Sequence, residues 1–121
     1  MRSRQSRLQE DTYFKVMDLL EKNPELSQRQ LAKSLGISLG GVNYCLNALV
    51  DKGWVKIQNF HKNDNKLTYM YLLTPKGIVS KAKLTKDFLR RKLEEYEVLK
   101  YEIKMLKASI ETNKSNQIEV D

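Results

Sequence analysis

Apolar residues return along this chain at two different periods, and the change of period marks its organisation. Tyr13, Val16, Met17 and Leu20 fall at i, i+3, i+4 and i+7, the one-sided pattern of an amphipathic helix. Asn23, Pro24 and Glu25 end it. Ser27 and Gln30 then form an S-x-x-Q capping box, with Leu26 and Leu31 at the two positions of a hydrophobic staple. Leu31, Ala32 and Leu35 face inward, and Gly36 supplies the left-handed turn that stops this helix. Only Gly36 and Ile37 separate it from a third helix. Ser38 caps that helix, Ile37 and Val42 staple it, Val42, Cys45, Leu46 and Leu49 form its buried stripe, and Gly53 ends it. Two helices joined by a tight glycine turn are the helix-turn-helix pattern.

The period then shortens to about 2. Trp54 to Phe60 and Leu67 to Leu73 are rich in aromatic and branched residues and predict two strands around the polar loop His61 to Lys66. Both faces of each strand carry apolar residues, so the pattern leaves the buried face open. Thr74 as N-cap, Pro75 at the first helical position and Leu73 with Ile78 as a staple begin the last helix. It runs to about Thr112, roughly 57 Å at the usual rise.

These elements predict a mainly α (α+β) fold: a winged helix-turn-helix head with a long C-terminal coiled-coil helix. The boundaries drawn are a basic arm over 1–10, the winged helix-turn-helix domain over 11–77, a dimerisation helix over 78–112 and a flexible tail over 113–121.

The long helix carries a heptad seam of Leu89, Lys92, Tyr96, Leu99, Ile103, Leu106 and Ile110. Glu95 and Glu102 fall at g, and Lys100 and Lys107 at e. In a parallel pair each glutamate meets the lysine five residues on in the other copy, whereas an antiparallel pair sets like charges together. A parallel homodimer is expected, although the same stripe could pack on the first helix.

The chain of 121 residues has a formal charge of +7. Residues 1–77 hold 12 basic and 7 acidic side chains, so the head is the expected contact surface for a polyanion, nucleic acid before a membrane surface. A single cysteine, Cys45, excludes an internal disulfide, and its place in the apolar stripe marks it as structural. His61 is the only histidine, so no histidine cluster for a metal exists. There is no phosphate-cradling glycine loop and no nucleophile elbow, so neither an enzyme nor a cofactor is expected. No apolar stretch reaches the length of a membrane span or signal-peptide core, and a cytoplasmic setting is expected.

In a helix-turn-helix the second helix enters the major groove. Its face opposite the buried stripe holds Gly40, Asn43, Tyr44, Asn47 and Asp51. Gly40 and Gly41, side by side in its first turn, allow close approach to phosphates or base edges. The amides of Asn43 and Asn47 suit adenine, and Tyr44 suits a thymine methyl or a phosphate. Ser38 caps this end. Ser27, Gln28 and Arg29 begin the preceding helix, as candidate phosphate contacts. Lys62 and Lys66 flank the wing tip. The competing readings are a protein-interaction adaptor and a non-specific architectural DNA binder.

The run "ELSQRQLAKSLGISLGGVNYCLNALVDKGWVK", followed by "YLLTPKG", resembles the MarR family of bacterial transcription regulators, and is most similar to its small exopolysaccharide-associated branch. That resemblance implies a cytoplasmic, homodimeric regulator that binds double-stranded DNA at a palindromic or near-palindromic operator. It also implies a link to exopolysaccharide genes, a recognition helix over Gly40 to Asn47 and a wing over His61 to Lys66. Larger members carry an Asp-x-Arg element in the wing, where this chain has Asp64-Asn65-Lys66. They also build an effector pocket from helices at both chain ends, where this chain has one long helix, so no small-molecule pocket is implied.

Overall fold

The computed structural model describes the backbone of residues 4–62 and 66–120, and side chains within 4–59 and 69–115. Its elements are α1 (Arg4–Lys22), α2 (Gln28–Leu35), α3 (Leu39–Asp51), β1 (Val55–Lys62), β2 (Lys66–Leu73) and α4 (Pro75–Val120). The order is that of a winged helix-turn-helix with a long C-terminal helix. The chain divides into two compact units, Met1–Lys86 and Asp87–Asp121. The boundary falls inside α4 and not at its start, because the first turns of α4 pack on the head.

The head's core is the set of stripes read from the periodicity. Tyr13, Val16, Met17 and Leu20 of α1, Leu31 of α2, and Val42, Cys45, Leu46 and Leu49 of α3 are buried together with Val55 and Leu84. Burying one such Leu or Val contributes about 1.5–3 kcal/mol. The caps are formed as the sequence predicts. The Ser27 hydroxyl accepts from the Gln30 amide at 3.1 Å while the Gln30 side chain accepts from the Ser27 amide at 2.8 Å. Gly36 stands at φ 68°, the left-handed region. Thr74 does double duty: its hydroxyl accepts from the Gly77 amide at 3.0 Å and donates to the Gly53 carbonyl at 2.6 Å.

β1 and β2 form an antiparallel hairpin in the register Val55↔Leu73, Ile57↔Tyr71, Asn59↔Tyr69 and onward to Lys62↔Lys66. Pairing reaches further toward the loop than the apolar runs suggested. The face left open by the sequence is settled at the root of the hairpin: Val55 is buried and Tyr71 and Leu73 pack against the core, while Ile57 and Tyr69, on the same face, are exposed farther out along the wing.

Two boundaries move. α1 begins at Arg4, so Arg4 and Arg7 ride on a helix and not in a separate arm, and α4 continues through the expected tail to Val120. Neither segment contains proline or glycine to stop a helix.

Lys81 of α4 lies between two carboxylates of α1, 3.0 Å from Asp18 and 3.3 Å from Glu21. Hydrogen bonds from Lys22 and Lys81 hold the Asp18 carboxyl below its ordinary range. Burial alone would lower Lys81, but hydrogen bonds to Asp18 and Glu21 outweigh it and raise the ammonium's pKa.

In the second unit the seam side chains Leu89, Tyr96, Leu99, Ile103, Leu106 and Ile110 are 43–65% exposed. Glu95 pairs with Lys92 of its own chain at 3.1 Å, and the Lys100 ammonium lies 6.0 Å from the Tyr96 ring centre.

Candidate nucleic-acid interface

The turn between α2 and α3 sets the interface. Gly36 turns the chain, the Ile37 amide donates to the Ala32 carbonyl at 3.1 Å, and Ser38 caps α3 by accepting from the Gly41 amide at 2.9 Å. With Val42, Cys45, Leu46 and Leu49 fixed in the core, Leu39, Gly40, Asn43, Tyr44, Asn47 and Asp51 are left exposed. Tyr44 is 66% exposed.

The two adjacent glycines separate in role. A Cβ on Gly41 would lie 3.2 Å from the Ser38 hydroxyl, against the cap itself. A Cβ on Gly40 would meet nothing within 4 Å, so no contact inside the chain requires glycine there. Beside the exposed Leu39, the first turn of α3 is therefore bare at Gly40, at a helix end that carries unpaired amides and partial positive charge.

The structure joins three of the predicted residues to one that the sequence did not single out. Asn47 Nδ2 donates to Asn43 Oδ1 at 3.1 Å. Asn43 Nδ2 donates to Gln28 Oε1 at 3.3 Å. Gln28 Nε2 donates to the Tyr71 hydroxyl at 3.0 Å. Gln28, a candidate phosphate contact, turns its amide between α3 and β2. Tyr71 lies 43 positions away from it; only its place in the alternating strand pattern marked it.

Ser27 is exposed, with its hydroxyl engaged in the capping box. Arg29 is exposed and has no ion pair among the described residues, which suits a phosphate contact. The side chains of Lys62, Lys66 and His61, and the whole of Asp64 and Asn65, lie outside the described residues. Lys52, by contrast, lies 5.8 and 5.2 Å from the Tyr13 and Trp54 ring centres.

Cys45 is buried, and burial pushes its thiol up to about 12, so it is held as the unreactive thiol. Among the described residues no group of His, Cys, Asp and Glu is placed to hold a metal ion. No described helix is long and apolar enough to cross a membrane.

The family model described as winged helix-turn-helix DNA-binding matches residues 9–56. No curated protein matches the chain by sequence. Among solved structures, the chain is similar to the adhesin competence repressor AdcR from Streptococcus pyogenes, with a TM-score of 0.56 and 25% identity over 73% of this chain and 63% of that one. It is similar to FabT from Streptococcus pneumoniae, solved in complex with DNA, with a TM-score of 0.51 and 28% identity over 69% of this chain and 56% of that one. A MarR/EmrR family transcriptional regulator from an Acinetobacter species gives a TM-score of 0.57 at 22% identity, over 88% of this chain and 75% of that one. The chain thus spans less than two thirds of the length of AdcR and FabT. Its head is a winged helix-turn-helix of the DNA-binding type, on a fold shared with MarR-type regulators.

Proposed function

We propose that the protein is a sequence-specific, double-stranded-DNA-binding transcription regulator of the MarR type, cytoplasmic and acting as a homodimer. The observation that carries this reading is the exposed face of α3. It presents a bare glycine turn and two asparagine amides at the position where a helix-turn-helix enters the major groove. FabT, a protein similar to this one, is solved in complex with DNA. An architectural binder would present lysine and arginine on this face, and α3 contains neither.

The heptad seam of α4 supports two copies side by side, joined through Leu89, Tyr96, Leu99, Ile103, Leu106 and Ile110. Glu95 and Glu102 of one copy then face Lys100 and Lys107 of the other. A two-fold dimer reads a palindromic or near-palindromic operator. Control of exopolysaccharide-associated genes rests on the resemblance of the α3 segment to that branch of the family.

The test is fluorescence anisotropy at physiological salt. The probe is the DNA upstream of the protein's own gene, with a shuffled duplex as competitor. A preference of about 10³-fold or more for the upstream DNA, falling steeply with salt, is the expected result. No binding to either duplex at low salt overturns the reading in favour of an adaptor.

A further inference from the structure

Three hydrogen bonds run in one direction from α3 through α2 to β2: Asn47 to Asn43, Asn43 to Gln28, and Gln28 to the Tyr71 hydroxyl. The far end is fixed. The Tyr71 ring packs against the core, and its backbone amide donates to the Pro24 carbonyl at 3.4 Å. The near end is exposed on the face of α3.

A primary amide offers one acceptor oxygen and two N–H donors, and rotation by half a turn exchanges them. The relay couples these choices, so that the orientation of one amide sets that of the next. With Gln28 Nε2 on the tyrosine hydroxyl, Gln28 Oε1 faces Asn43, which must answer with its Nδ2. Asn43 Oδ1 then faces Asn47, which answers with its own Nδ2. Asn47 is left presenting Oδ1 and its second N–H outward. Adenine offers an N6 donor beside an N7 acceptor in the major groove, the complement of an amide oxygen beside an N–H.

We infer that Tyr71 and Gln28 are positioning residues for base recognition: they hold the amides of Asn43 and Asn47 in place on the face of α3, coupled to one another, and so strengthen their reading of adenine. This rests on the DNA-reading function proposed above. Each of the two exposed hydrogen bonds, Asn47 to Asn43 and Asn43 to Gln28, adds little to folding, because water competes for it. Its value lies in pre-orienting two side chains that would otherwise be ordered on binding.

Tyr71→Phe removes the hydroxyl and keeps the ring in the core. Gln28→Met keeps the length of the side chain and removes the amide. Wild type and both variants are put through selection from a randomised duplex library. Each is then titrated by anisotropy against the wild-type preferred duplex and a shuffled one, alongside thermal melts. Both variants are expected to lose base preference at the same adenine positions, with the operator-to-shuffled ratio down about tenfold. Tyr71→Phe should leave the affinity for the shuffled duplex unchanged, and the double variant should add little to either single one. A purely structural role would lower melting temperature or total affinity without moving base preference. A wild-type consensus that both variants reproduce overturns the relay and leaves the DNA-reading function standing. A wild type that selects no consensus overturns that function and the relay with it.

Discussion

Gly77 lies against the backbone of Trp54, so close that a Cβ on it would stand 2.8 Å from the Trp54 carbonyl carbon. The same carbonyl accepts from the Thr74 amide at 3.0 Å, which locks the start of α4 onto the end of the turn after α3. The atom in the way is backbone and cannot swing aside. Gly77→Ala is expected to cost about 2–3 kcal/mol of stability, as overpacking does. Urea denaturation of the two proteins checks it.

Gly40 makes the opposite case. Alanine there enters open space at a position with no unusual backbone angle. Gly40→Ala should leave stability within about 1 kcal/mol of wild type or raise it slightly. It should weaken DNA binding by pushing α3 out of the groove. A melt and an anisotropy titration on the same preparation separate the two effects, and unchanged affinity would remove the close-approach role.

Most of the head was legible because its signals are local. The capping box of Ser27 and Gln30, the stop at Gly36 and the stripe from Val42 to Leu49 lie within one or two helical turns. The N-terminal extent of α1 was not legible. Leu8 is 58% exposed and adds nothing to the buried stripe on which periodicity depends. The inward face of the hairpin was ambiguous because apolar residues alternate with apolar residues there, and only packing of Val55, Tyr71 and Leu73 against α-helical neighbours decides it. The relay was hidden for a stronger reason. Gln28 and Tyr71 meet across 43 positions, and no local spacing encodes that contact.

Cys45 should resist thiol reagents while the protein is folded. It is 3% exposed, and its thiol is pushed up to about 12 by burial. At pH 8 labelling with iodoacetamide should appear only on unfolding in denaturant, and DNA binding should survive oxidant. Cys45→Ser should cost about 1–3 kcal/mol, because it places a hydroxyl in an apolar stripe.

Asp18 and Lys81 give the fold opposite sensitivities at the two ends of the pH scale. Asp18 titrates below its ordinary value of 3.8 in the folded state, so its stabilisation is present above that value and is lost as pH falls through the depressed one. Lys81 titrates above 10.5, so its contribution is present below that value and is lost as pH rises through the raised one. Melting temperature should therefore fall more steeply in acid for wild type than for Asp18→Asn, and the two curves should converge as the wild-type carboxyl protonates. Parallel curves would show that the α1–α4 bridge contributes nothing measurable.

Leu99 and Ile103 test the seam. They stand between the two expected glutamate–lysine pairs, at successive d and a positions, and are 54% and 43% exposed in the single chain. Lysine at both would place two charges where a parallel pair of helices must exclude water. Because neither side chain belongs to the core of the head, that unit should still fold. The double variant should sediment as a monomer, at half the wild-type mass. It should also bind a two-half-site operator about 10²-fold more weakly, since the second half-site is no longer engaged intramolecularly. Its affinity for an isolated half-site should be unchanged. A mass equal to that of wild type would reject this seam, and a monomer with undiminished operator affinity would show that the dimer is not the unit that reads DNA.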